Sequence, residues 1–96
     1  MAAGNTVTDI VPLANGLLME YGTFDSTSVT TLTITASAGS ASYTAGLTGI
    51  GKIIAWGFAS DGDYAVSPAK DVAPNKVKIA TTSSDTGDYW LIGKAV

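Results

Sequence analysis

The chain is predicted to be all-β: a single-domain antiparallel β-sandwich or small β-barrel of about six or seven strands. Three observations predict it. β-Branched and aromatic residues fill most apolar positions, as on a pleated, half-buried surface. Gly, Ser, Asp and Pro break the chain roughly every 8–12 residues, the spacing of a sandwich or barrel. No segment repeats its apolar residues at the helical period. At 96 residues the chain suits one domain with one modest core, and residues 1–16 form either an N-terminal arm or an edge strand.

The elements follow in order. Asn5 to Val11 reads as a first strand, with Thr6, Thr8 and Ile10 on one face and Val7 and Val11 on the other. Pro12 removes a backbone donor and predicts that the strand either sits at an edge or ends there. Asn15-Gly16 is a turn signal. Leu17 to Phe24 is a second strand, with Leu17, Met19 and Tyr21 on one face and Leu18 and Glu20 on the other. Asp25-Ser26-Thr27-Ser28 turns the chain. Val29 to Ala36 alternates most cleanly: Leu32, Ile34 and Ala36 inward, Thr31, Thr33 and Thr35 outward. Ser37 to Gly49 reads as a long loop, a length that in a small domain points to function or mobility.

Lys52 to Ala59 places Ile54, Trp56 and Phe58 on one face and Ile53, Ala55, Gly57 and Ala59 on the other. Both faces are apolar, which predicts a central strand covered on both sides. Ser60 to Asp63 is a turn, and Tyr64 to Val66 a short strand. Ser67 to Asn75, with Pro68 and Pro74, reads as an irregular connection. Lys76 to Thr82 alternates, with Val77, Ile79 and Thr81 inward and Lys76 and Lys78 outward. Ser83 to Asp88 reads as a hairpin loop into a last strand from Tyr89 to Val96. The predicted core is Trp56, Phe58, Leu32, Ile34, Ile79 and Leu91.

Composition narrows the chemistry. There is no Cys and no His, so disulfides, cysteine metal sites and the commonest general base are absent. All five basic residues are Lys, with no Arg for a bidentate anion clamp. A net charge of −3 and a pI near 4.4 argue against direct nucleic-acid binding. No apolar run is long enough to span a membrane as a helix. The first residues lack the basic and apolar regions of a secretory leader. Charged residues make up 14% of the chain, against about 25% in an average domain. Interface cores are depleted in Lys, Glu and Asp, so a surface of Thr, Ser, Gly and Ala predicts contact with other protein chains, the alternative being a Ser/Thr-rich β domain that stands alone.

Each possible site has a plainer alternative. Asp61 and Asp63 could offer oxygens to Ca²⁺, yet Asp-Gly-Asp is also what a tight turn requires, and no full calcium-loop pattern follows. Asp85 and Asp88 could form a glycosidase pair, but both fall in one short loop. Gly46 to Lys52 resembles a phosphate loop only faintly, because it leads into a strand. No catalytic residue and no cofactor is predicted. Interface residues are predicted at Tyr43, Leu47, Tyr64, Tyr89, Trp90, Ile10 and Leu13. One of Tyr89 and Trp90 must point away from the core.

Three stretches carry a resemblance: Met19-Glu20-Tyr21-Gly22-Thr23-Phe24-Asp25-Ser26, Gly46-Leu47-Thr48-Gly49-Ile50 leading into Ile53 to Phe58, and Gly87 to Ala95. Together with the Thr-rich strand they resemble small virion structural proteins of tailed bacteriophages, some of which are head decoration or cement proteins. The likeness covers most of the chain in layout and transfers no site residue. It implies a non-enzymatic protein made in the host cytoplasm and carried on the capsid surface. Its partners would be the major capsid protein or other virion subunits and copies of itself, with a trimer favoured. Two alternatives stand beside it: a tail-tube, head–tail connector or other filament subunit, and a carbohydrate or host-surface binding module using Trp90 and Tyr64.

Overall fold

A computed structural model describes residues 3–36 and 49–95. They form seven strands: β1 (Gly4–Pro12), β2 (Leu17–Asp25), β3 (Thr31–Thr35), β4 (Ile50–Ser60), β5 (Ser67–Lys70), β6 (Lys76–Ala80) and β7 (Thr86–Ala95). Two antiparallel sheets result, one ordered β1-β2-β7-β4 and the other β3-β6-β5. The fold is thus the predicted all-β sandwich. Among the described residues no helix is long and apolar enough to cross a membrane.

Only β1–β2 and β5–β6 are hairpins within one sheet. The first turns as expected at Asn15 and Gly16, both at positive φ, where Asn and Gly are best tolerated. Residues 81–85 instead carry the chain from β6 in one sheet to β7 in the other, so the predicted hairpin into the last strand is a crossover. Local loop length cannot separate the two cases. β5 occupies Ser67–Lys70 rather than residues 64–66. Pro68 is accommodated because β5 lies at a sheet edge, where a missing donor breaks no second ladder.

The core lies between the sheets. Leu32, Ile34, Ile79 and Leu91 are buried there as predicted, joined by Ile10, Leu18, Phe24, Ala36, Ile50, Ile53, Val77 and Tyr89. Trp56 and Phe58 are half-buried and pack against this cluster. Two irregularities in the ladders explain where simple alternation failed. In β4 the register shifts between Ile53 and Ala55, so Ile53, not Ile54, shares the inner face with Trp56 and Phe58. In β1 it shifts between Val7 and Asp9, which turns Ile10 inward and leaves Thr6 and Thr8 outside. A single extra residue reverses every side chain beyond it.

β4 was expected at the centre of a sheet but lies at its edge, paired with β7 alone. Its second face is made of the small residues Ala55, Gly57 and Ala59, with Ile54 exposed beside them. The two sheets are stitched at both open edges. The Asn5 side chain donates to the Thr35 carbonyl at 3.0 Å and accepts from the Thr35 N–H at 3.1 Å, imitating a backbone bridge from β1 to β3. On the opposite side the Ile53 N–H donates to the Pro74 carbonyl at 2.9 Å.

Candidate functional site

Strand periodicity decides which side chains leave the core. On the four-stranded sheet the residues opposite the core residues form cross-strand rows. One row joins Thr6, Thr23, Asp88 and Ala59; the next joins Asp9, Tyr21, Trp90 and Gly57. A third joins Val11, Met19, Ile92 and Ala55, and a fourth joins Leu17, Lys94 and Lys52. The two middle rows carry one charge, Asp9 on the edge strand, whose carboxylate accepts from the Ile10 N–H at 2.8 Å. Such a face lacks the charged side chains that usually guard an exposed sheet.

Trp90 is 40% exposed and stands at the centre of this face beside Tyr21. Its indole lies over Gly57: a Cβ at residue 57 would overlap the ring. Gly57 is therefore a space requirement, since the ring can lie flat on the sheet only where the cross-strand neighbour has no side chain. Thr8, Tyr21, Gly57, Ala59, Asp88 and Trp90 border an open groove of ≈ 540 Å³. Ile54 and Leu13, pushed outward by a bulge and a turn, add exposed apolar surface.

The predicted interface residues divide accordingly. Trp90, Tyr64 and Leu13 are exposed. Ile10 and Tyr89 are buried and are unavailable to a partner: the β1 bulge turned Ile10 inward, and alternation against Trp90 places Tyr89 in the core. Tyr43 and Leu47 lie outside the described residues. Tyr64 does not border the groove under Trp90, so the two rings expected to form a sugar platform are not brought together there. Sequence reasoning missed Tyr21, Met19, Ile92 and Gly57. The stripe Asp88, Trp90, Ile92, Lys94 at every second residue was the available signal.

The carboxylates separate by role. Asp85 is 3% exposed and accepts from Ser60 Oγ at 2.8 Å and Thr81 Oγ1 at 3.0 Å. Its backbone N–H donates to Ser26 Oγ at 2.9 Å, and its carbonyl accepts from the Ser26 N–H at 2.9 Å. Asp85 therefore knots together the crossovers after β2, β4 and β6, whereas Asp88 stands on the outer face. Asp85 is thus a buried structural residue of the short loop in which the sequence placed it beside Asp88. Asp61 accepts from Thr86 Oγ1 at 2.9 Å, and Asp63 occupies a left-handed turn position. Among the described residues no group of three or more His, Cys, Asp or Glu gathers to hold a metal.

A second buried polar chain was not foreseen. Glu20, fully buried, accepts from the Tyr89 hydroxyl at 2.8 Å. That hydroxyl accepts from Asn5 Nδ2 at 3.0 Å, and Asn5 holds Thr35 of the other sheet. A carboxyl on an inward position is tolerated because its neighbours are hydrogen-bonding groups.

No protein-family model, curated protein or solved structure matches this chain.

Proposed function

We propose that this chain is a non-enzymatic virion structural protein of the head decoration or cement type, which works by lying against other protein subunits. The observation that carries the reading is the outer face of the four-stranded sheet. Its two middle rows are aromatic, aliphatic and small, with Asp9 as the one charge and nothing from the described chain laid over them. Exposed apolar patches of this kind on a small domain mark protein contact. The enrichment in Tyr, Trp and Met with few charges matches the composition of interface cores. The resemblance to small phage virion proteins supplies the setting, a shell that offers many equivalent docking places.

Mechanistically, such a protein binds the assembled shell and not the free capsid subunit. The shell is then stabilised by linkage, and many equivalent contacts act together. The test is to mix purified protein with expanded, empty heads of the phage that encodes it and to sediment them. Co-sedimentation saturating at a fixed copy number, with a raised temperature of head disruption, is the expected outcome. Heads that sediment without the protein refute the reading.

A further inference from the structure

We infer that the outer face of the four-stranded sheet closes on a second copy of this chain, about a two-fold axis that crosses the strands between Trp90 and Ile92. The inference rests on the reading of this face as a protein-binding surface and names its occupant as another copy, which leaves docking on a shell to the dimer's surface outside this face.

The argument comes from the arrangement of charge. Along β7 the outward residues are Asp88, Trp90, Ile92 and Lys94: acid, large apolar, large apolar, base. Turned end over end, this stripe is its own complement. A two-fold axis lying in the interface and perpendicular to β7 sets Asp88 of each copy against Lys94 of the other and Trp90 against Ile92. On β2 the same operation sets Tyr21 against Met19 and Thr23 against Leu17. On β4 it sets Gly57 against Ala55 and carries Lys52 to the end of the partner's strand near Ala59 and Asp61. The alternative axis, parallel to the strands, would set Asp88 against Asp88 and Lys94 against Lys94, and like charges in register oppose association.

Size and shape agree. Four strands spaced about 4.8 Å apart, with some 30 Å of strand, give a footprint on the order of 600 Å² per copy. That approaches the roughly 800 Å² per partner of a standard interface. The Trp90 ring lies flat over Gly57, and small residues at Ala55 and Ala59 flank it, so this side of the face stays low. Charges fall at the two ends, and Asp9 falls on the edge strand, where a polar rim belongs. A contact in which the same patch serves both copies is the closed, isologous kind. It gives a dimer in place of the trimer implied by the resemblance.

The test is the mass of the purified full chain in solution, by sedimentation velocity across a concentration series. Twice the 9.7 kDa chain mass at micromolar concentration is expected, with dissociation promoted by salt. Asp88→Lys and Lys94→Asp, each alone, should weaken the dimer about tenfold or more at low salt by opposing like charges at both ends. The double variant Asp88→Lys/Lys94→Asp should restore it, because the reversed stripe is again its own complement. Both substituted positions are on the exposed face, and circular dichroism checks that each of the three variants remains folded. A wild-type chain that stays monomeric at about 1 mM, a trimer, or a double variant no better than the singles overturns the inference. Monomers that still bind heads overturn the dimer and leave the proposed function standing. Dimers that do not bind heads do the reverse.

Discussion

Replacing Tyr89 by Phe removes one oxygen and leaves the ring, so it isolates the polar link between the two sheets. Tyr89 is 2% exposed and Glu20 is fully buried, so water cannot readily replace what is lost. The hydroxyl donates to Glu20 at 2.8 Å and accepts from Asn5 at 3.0 Å. The loss counted is that of these two hydrogen bonds. At about 1 kcal/mol for a neutral bond and up to about 2 for one to a carboxyl, the expected cost is about 2–3 kcal/mol. Against a total stability on the order of 5–14 kcal/mol for a chain of this length, that is a large share. The midpoint of thermal unfolding should fall by roughly 10–20 °C. Urea unfolding should show the same change at constant slope, since the surface exposed on unfolding is unaltered. Because Asn5 also clasps Thr35, Asn5→Ala and Tyr89→Phe should not add: a double-mutant cycle should give a coupling of about 1 kcal/mol. A Tyr89→Phe protein within about 0.5 kcal/mol of wild type, or a coupling near zero, would refute the chain of bonds from Thr35 to Glu20.

Asp85→Ala should destabilise the fold by about 2–3 kcal/mol in urea titration, because it strips partners from Ser60 and Thr81 at a buried site. Asp88→Ala, measured at high dilution, should change stability by less than about 0.5 kcal/mol, as at most exposed positions; equal effects would contradict the separate roles of the two. Thr27→Val should alter the acid limb of stability. The Thr27 hydroxyl, and then the Thr27 N–H, hold the Asp25 carboxyl below its ordinary 3.8. A lowered folded-state value adds stability that is present above pH 3.8 and is lost as the pH falls through the lowered value. The variant should therefore lose stability at neutral pH and show a shallower decline below pH 4; an unchanged acid limb would contradict the assignment.

Much of the framework was legible because alternation is local chemistry. Thr31 to Thr35 and Lys76 to Ala80 show a strict period of two with apolar residues inward, and both were placed with the correct face. Pro12 marked an edge position or a strand end, and β1 has both; Asn15-Gly16 marked the turn before β2. The failures share one physical cause. Where a strand carries an extra residue, as near Thr8 and Ile54, the inward set changes partway along. Periodicity read through the bulge then assigns Ile10 and Ile54 to the wrong faces. Nothing local in Val7 to Asp9 or Ile53 to Ala55 announces the shift, because the bulge is decided by how the neighbouring strand must pair.

The site was half legible for a related reason. Tyr89 and Trp90 cannot both face inward on one strand, so one of them reads as exposed, but the sequence leaves open which one. The rows that join Trp90 to Tyr21, Gly57 and Met19 come from three strands, and only the order β1-β2-β7-β4 makes them neighbours. The same order turned an apolar β4 from a presumed central strand into an edge, and the 81–85 link from a hairpin into a crossover. Asp85 and Glu20 could not be told from solvated carboxylates in the sequence, because burial belongs to the partners that surround a group. The sequence by itself determined that the chain is β, where most strands begin and end, and that its surface is poor in charge, since these depend on each residue's own backbone preference and polarity. Tertiary structure alone decided which strands are adjacent, which carboxyls are enclosed, and that acid and base stand at opposite ends of one apolar face, since these depend on contacts between residues far apart in the chain.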